Sequence, residues 1–432
     1  MASDSKLISN KTKRLFVLFV RGEGIEVLIS IIVVFILFLV KLYFDPDLQV
    51  FEWSTFSAIV FTAGLAMCVR FIRRMIFNRI EDGAKLTQNY DELVNTTYKL
   101  EQAVTVRNGT DQVEKLACIK VADLTGKKIV IEDDPNTYFE LPDIAAENYK
   151  DLLRSHLSST IYNNTNIRVK SWNADRDKFY INTERTTYFS SLVTNRAMDY
   201  RLDDGLTIRK VLDGGPVLKP LEASSLSNHL GFNGMLESSD GYFPFVYRKN
   251  NVSIGKRTYG NSVGASLKFK FAVDWKNGKK NFTFKGLDNA IRNELLDEIG
   301  VGTGDVRYKI LCAYRDMVEG GKPQLFIYYF THLSMDEIDN AFISANSPHV
   351  SSSEQDKKVA KMLTDGTRLV WVSKETILDT EKTKIYNDRI ETFTTENGVE
   401  NPAVLKVVPS AAASVVFLRD YLVSKGSGDG NN

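Results

Sequence analysis

The chain has 432 residues, 43% of them hydrophobic, and a formal net charge of +1 from 55 Lys and Arg against 54 Asp and Glu. That length holds a sizeable core and roughly two domains, and the balanced charge gives no global field that would draw in a nucleic-acid duplex. Cys68, Cys118 and Cys312 are too isolated for a metal site or a disulfide framework. The spacing of His156, His229, His332 and His349 contains no Ser-His-Asp arrangement.

Taken in chain order, residues 1–24 read as a cytosolic N-terminal segment and 25–80 as a two-helix membrane hairpin. Ile25 to Phe44 has Glu26, Ser30 and Lys41 only near its ends, and Val50 to Val69 is apolar after Glu52 and Trp53. A span of about 20 residues matches the hydrocarbon thickness of a bilayer. Lys6, Lys11, Lys13, Arg14 and Arg21 precede the first span, and Arg70, Arg73, Arg74 and Arg79 follow the second, while the loop Asp45 to Gln49 has no basic residue. The positive-inside rule then places both termini in the cytoplasm of a two-span protein of the bacterial inner membrane. Small residues along the second span, from Ser54 to Ala66, fit close helix contact in lipid. From residue 81 to 110 the spacing Leu86, Tyr90, Leu93, Thr97, Leu100, Val104 predicts a helical connector. Its heptad period suits either a coiled coil between protomers or packing on the chain's own cytosolic part.

Residues 111–225 read as a mixed α/β extension, with strands at 127–132, 167–170 and 178–182 and a helix at 144–157. In 226–425 the Asp240-Gly241 pair between apolar runs predicts a hairpin of Phe232–Glu237 with Tyr242–Tyr247. A strand over 262–273 follows, then the helix Leu287–Val301. A second hairpin turns at Glu319, Gly320 and Gly321. Ser334 and Glu337 form a capping box that opens a short helix to Phe342. A strand at 369–373 and a closing helix at 411–424 precede a Gly-rich tail, 426–432, that is disordered by composition.

In the helix LDNAIRNELLDEIGV, Glu294, Asp297 and Glu298 stand at i, i+3 and i+4 and so share one face. Ala290, Ile291, Leu295, Leu296 and Ile299 form the apolar side, and Gly300 suits a left-handed cap. Clustered carboxylates are either a solvated face or oxygen ligands for a hard cation such as magnesium.

The order of these elements, with NELLDEIGV set on the end of the loop-helix signature, resembles the Nudix fold. The resemblance implies a membrane α-hairpin joined to a cytosolic α/β (α+β) Nudix-like domain, with Glu294, Asp297 and Glu298 as magnesium ligands. Asn293 stands where the signature has Arg, and Lys285 falls at the upstream Glu position. A degenerate box of this kind leaves residual magnesium-dependent pyrophosphatase activity open and names no catalytic residue. Lys279 falls at the signature's Gly position; the alternative glycine loop is Gly260 to Gly264, with an insertion before the helix.

Two spans ahead of a divergent Nudix-like domain also resemble the transmembrane effectors of bacterial CBASS antiphage operons, whose soluble part is a SMODS-associated Nudix-like domain. That resemblance implies binding of a cyclic oligonucleotide made by a CD-NTase. It also implies homo-oligomerisation on activation, action on the lipid bilayer of the inner membrane, and abortive infection. The residues that would meet phosphates and bases are Arg196, Arg248, Lys256, Arg257 and Tyr259. The alternative is a membrane-tethered Nudix hydrolase that cleaves a nucleoside diphosphate derivative.

Overall fold

The computed structural model describes residues 86–110, 112–154, 156, 163–248, 255–267, 269–276, 279–346, 366–396 and 398–426. Nearly all of them belong to one compact unit, Ala84–Leu153 with Ser159–Asn432, and that unit is described here. It opens on a π-helical turn, Glu92–Thr97, followed by strands β1 (Ala103–Asn108), β2 (Gln112–Asp123) and β3 (Lys128–Tyr138). Helices α1 (Asp143–Glu147) and α2 (Tyr149–Arg154), strands β4 (Thr165–Ala174) and β5 (Lys178–Thr187), and helices α3 (Tyr188–Leu192) and α4 (Ile208–Asp213) complete the first half. Then come β6 (Gly231–Glu237), β7 (Tyr242–Arg248), β8 (Tyr259–Gly260), β9 (Val263–Ser266), α5 (Phe269–Ala272), β10 (Val273–Lys276), β11 (Lys279–Phe282) and α6 (Phe284–Ile299). The chain continues through β12 (Val306–Asp316), β13 (Lys322–Thr331), α7 (Met335–Asn346), β14 (Gly366–Ser373), α8 (Lys374–Leu378), β15 (Lys384–Ile385), β16 (Arg389–Glu396), β17 (Val399–Lys406) and α9 (Pro409–Gly426).

One sheet runs β1-β2-β12-β13-β6-β9, a second runs β15-β16-β14-β7-β8 with β17 paired to β16, and a three-stranded sheet runs β3-β5-β4. The β12–β13 hairpin lies in the middle of the first sheet. Along β13, Leu325, Ile327 and Tyr329 belong to the core that contains α6, whereas Phe326 and Tyr328 belong to the core that contains α9. Successive side chains of a strand point to opposite faces, so this strand is buried on both sides. That accounts for its unbroken apolar run, which a half-exposed strand would interrupt with polar residues.

The helix α6 is seated at three points. Thr283 caps its N-terminus by accepting the Gly286 N–H at 3.1 Å. Leu287, Ala290, Ile291, Leu295 and Ile299 are all fully buried, each contributing about 1.5–3 kcal/mol relative to exposure for the larger side chains. Gly300 ends the helix with φ +85, and a Cβ there would come within 2.6 Å of the Ala341 carbonyl oxygen in α7. It therefore serves as both the left-handed cap and the point of close helix approach. Leu296, expected on the apolar side, is 39% exposed.

Several expectations are corrected. The described residues form a mostly β body with short helices, rather than an α/β (α+β) Nudix-like domain behind a membrane α-hairpin. Among the described residues no helix is long and apolar enough to cross a membrane. The two expected spans, residues 25–44 and 50–69, lie outside the described residues. The expected inner-membrane location with two transmembrane helices is thus corrected for the described residues. The described part of the 81–110 segment, residues 86–110, is one helical turn followed by a strand, with Leu93, Val94, Tyr98 and Leu100 packed on Met317 and Val318 of this unit. The Asp240-Gly241 turn forms, with φ +81 at Gly241, but it passes the chain from one sheet to the other. β6 pairs with β13 and β9, and β7 pairs with β14 and β8. The expected second hairpin and the Ser334/Glu337 box are present, with the Ser334 N–H donating to Glu337 Oε2 at 2.8 Å.

At Gly286, in the first turn of α6, a Cβ would overlap the carbonyl oxygen of Ala272. Gly286→Ala is expected to force α6 away from α5 and lower stability by about 1–3 kcal/mol. Thermal denaturation of the variant checks this, and an unchanged melting temperature would refute the seating of α6 through Gly286.

Candidate functional site

At the open end of the second sheet, β8 returns antiparallel to β7 with Val246 opposite Gly260 and Tyr247 opposite Tyr259. The reversal needs Gly255, at φ +67, whose carbonyl accepts the Thr258 hydroxyl at 2.7 Å. The Arg248 N–H donates to the Thr258 carbonyl at 2.9 Å and closes the turn. Two residues on, Ser262 ties the sheets together. Its hydroxyl donates to the Pro244 carbonyl in β7 at 2.8 Å and accepts the Leu236 N–H in β6 at 2.9 Å.

Between these elements lies a small cleft, partly open to solvent. Its polar wall is made by Asn233 of β6, Arg248 of β7, Asn261 and Glu298 of α6. Gly260 and Gly264 supply bare backbone, and Val246, Val408, Ser410 and Ala411 complete the lining. A Cβ on Gly260 would lie 3.3 Å from Arg248 Cδ, and one on Gly255 would lie 3.4 Å from its Nη1. The glycines thus leave room for the arginine to lie across the loop. Ser410 and Ala411 belong to the first turn of α9, which opens on Pro409, a residue suited to that position. Helix N-termini carry partial positive charge, so the arginine and this helix end favour an anion on one side of the cleft. Glu298 and the two asparagines add oxygens to the same lining.

Beside the cleft the Tyr247 and Tyr259 rings lie 5.0 Å apart. The Arg368 guanidinium sits 5.0 Å from the Tyr247 ring centroid and donates to the Tyr259 hydroxyl at 2.6 Å. Near the tip of the β12–β13 hairpin, Ser410 helps to lower the buried Asp316 carboxyl. There Glu319 pairs with Arg196 at 3.3 Å and with Lys322 at 3.4 Å, all within the protein interior. Burial alone would raise the Glu319 carboxyl, but Lys322 and Arg196 hold it below its ordinary value. Asp316 has no such pairing; burial, reinforced by Glu319, pushes its carboxyl up to about 7.

The fold brings together only part of the residue set chosen from sequence. Arg248 and Glu298 line the cleft, with Gly260 and Gly264 of the expected glycine loop. Tyr259 adjoins it through its pairing with Tyr247. Lys256 and Arg257 occupy the turn that leads into β8, Arg257 with φ +55, and neither lines the cleft. Arg196 is a correction: its guanidinium is held by Glu319 and by the Tyr188 hydroxyl, 2.7 Å away, in the hairpin-tip network.

The metal set is also corrected. Glu294 is fully buried, Asp297 is exposed and Glu298 is half-buried at the cleft. Residues i+3 and i+4 are about 100° apart around a helix axis, enough here to put Asp297 in water and Glu298 at the cleft wall. Among the described residues no three His, Cys, Asp or Glu side chains are grouped to hold a metal ion. The donor set implied for magnesium therefore does not fit. Asn233, Asn261, Arg368 and the α9 terminus were not found from sequence; they come from separate strands, loops and helices and share no motif.

No family model matches the chain, and no curated protein matches it. Among solved structures it is similar to the crystal structure of DR0079 from Deinococcus radiodurans, at 12% identity over 31% of this chain and 82% of that one. The TM-score of 0.18 is too low for that likeness to carry an argument.

Because the folded-state value of Asp316 lies above the ordinary carboxylate value of about 3.9, the native protein holds a proton there that the unfolded chain releases. Its contribution to stability is therefore lost as pH rises from about 4 towards 7. Asp316→Asn keeps an acceptor for the Val318 N–H and removes the ionisation. Melting temperatures from pH 5 to 8 are expected to shift in favour of the variant as pH rises. Buried His229, whose value burial depresses, adds the opposite trend to both proteins and cancels in the difference. Parallel curves for the two proteins would sink the assignment.

Proposed function

We propose that the cleft binds a nucleotide messenger of the cyclic oligonucleotide class, as a sensor rather than a hydrolase. The supporting observation is the convergence of Arg248, the α9 N-terminus and the bare backbone of Gly260 and Gly264 on one cavity. A guanidinium makes charge-assisted bonds to phosphate, a helix end adds its partial charge, and glycines allow close backbone approach. The Tyr247 and Tyr259 rings beside the cavity offer a face on which a base stacks. Sensing is favoured over hydrolysis because Glu294, Asp297 and Glu298 point to three different surroundings. A phosphohydrolase of the kind implied by sequence needs its carboxylates on one ion.

The test is calorimetric titration of the full chain with cyclic di- and trinucleotides and their linear counterparts. A cyclic form is expected to bind more tightly than its linear counterpart, and Arg248→Glu to weaken it by about 10- to 100-fold, the loss of a charge-assisted hydrogen bond of about 1.5–3 kcal/mol. Equal binding to wild type and Arg248→Glu, with matched melting curves, would remove the cleft from consideration.

A further inference from the structure

Asn261 stands between β8 and β9, is 4% exposed and lines the cleft. Its amide nitrogen donates to Ser414 Oγ at 2.9 Å. The Ser414 hydroxyl in turn donates to the Ser410 carbonyl one turn back in α9, at 2.8 Å. A hydroxyl has one proton, so Ser414 can only accept from Asn261. This fixes the amide with its nitrogen on α9 and leaves Oδ1 without a hydrogen-bond partner. A buried acceptor left unmet costs about 1–3 kcal/mol, and a ligand that brings a donor recovers that cost.

The neighbouring wall has the same polarity. Asn233 donates its amide nitrogen to the Tyr314 hydroxyl, and its Oδ1 faces Gly264, 3.3 Å from where a Cβ would stand. Glu298 contributes a carboxylate. Besides Arg248 and the α9 terminus, the cleft therefore presents oxygens that accept hydrogen bonds.

We infer that Asn261 is the residue that selects the ligand's base, its Oδ1 accepting an N–H from an exocyclic amino group while Arg248 takes the phosphate. This rests on the nucleotide reading above and adds to it the chemistry of the base. Discrimination by a buried polar partner is strong, because the analogue that lacks the group leaves the acceptor unmet.

The experiment compares cyclic di-GMP with cyclic di-IMP, which differ by the 2-amino group, and adds cyclic di-AMP as a second amine-bearing probe. All are titrated into the full chain by calorimetry. Wild type is expected to bind an amine-bearing ligand at least 10-fold more tightly than cyclic di-IMP. Asn261→Ser is expected to shrink that ratio to within about 3-fold. Ser414→Ala frees the amide to turn its nitrogen towards the cleft without touching the ligand, and is expected to shrink the ratio as well. If wild type binds all three equally, or the ratio survives both substitutions, the assignment of Asn261 is overturned while the nucleotide reading stands. If affinity requires magnesium and ignores the amine, the oxygens hold a cation and the assignment is again overturned. If none of the three binds, the assignment is overturned, and the nucleotide reading falls with it only when the cyclic trinucleotides fail to bind as well.

Discussion

The β12–β13 hairpin is the constraint on which the rest of the unit depends. Lys322–Tyr329 of β13 and Leu311–Asp316 of β12 are buried on both faces, with α6 packed on one side and α9 on the other. Two-sided burial fixes register, because a one-residue slip would exchange every side chain between the two cores. With the hairpin fixed, the end of α6 and the start of α9 are set on either side of the first sheet, where Glu298 and Ser410 meet the same cleft.

The tip of that hairpin is polar and buried, an unusual choice for a turn. Glu319 accepts from Arg196 and Lys322, and the Glu319 carbonyl accepts the Asn195 amide at 2.8 Å. Comparable pairs tie the three-stranded sheet to its neighbours. Arg185 grips Asp133 through both nitrogens, at 2.6 and 2.7 Å, and Asp133 also accepts the Phe282 N–H just before α6. Buried ion pairs gain little net stability over apolar substitutes. Their effect here is geometric: a tip filled with apolar groups would tolerate sliding, whereas a paired carboxylate admits one arrangement. Arg196 belongs to this structural class. The fold reserves its charge for the hairpin and leaves Arg248 to face the cleft.

The cleft is divided by polarity rather than by a catalytic array. Arg248 and the α9 terminus favour negative charge, and Asn233, Asn261 and Glu298 present oxygens. A helix carrying three acids suggests a metal site in one dimension. In three dimensions α6 rolls Glu294 into the core and Asp297 into water, so the same letters serve packing, solvation and the cleft separately.

The sequence by itself determined those features that neighbouring residues decide. The Gly300 cap, the Ser334/Glu337 box, the Glu319–Gly321 hairpin and the closing helix were all legible, because each depends on the conformational limits or hydrogen bonds of adjacent residues. The strands β1, β16 and β17 were not, because their exposed faces dilute the apolar alternation that marks a strand. Which sheet each strand joined was equally hidden: Asp240-Gly241 specifies a tight turn, but pairing depends on strands nearly a hundred residues away in sequence. Only the tertiary structure decided that Asn233, Asn261, Glu298 and Ser410 line one cleft. Local pattern reports on nearest neighbours, and a site assembled from two sheets and two helix ends has none in common.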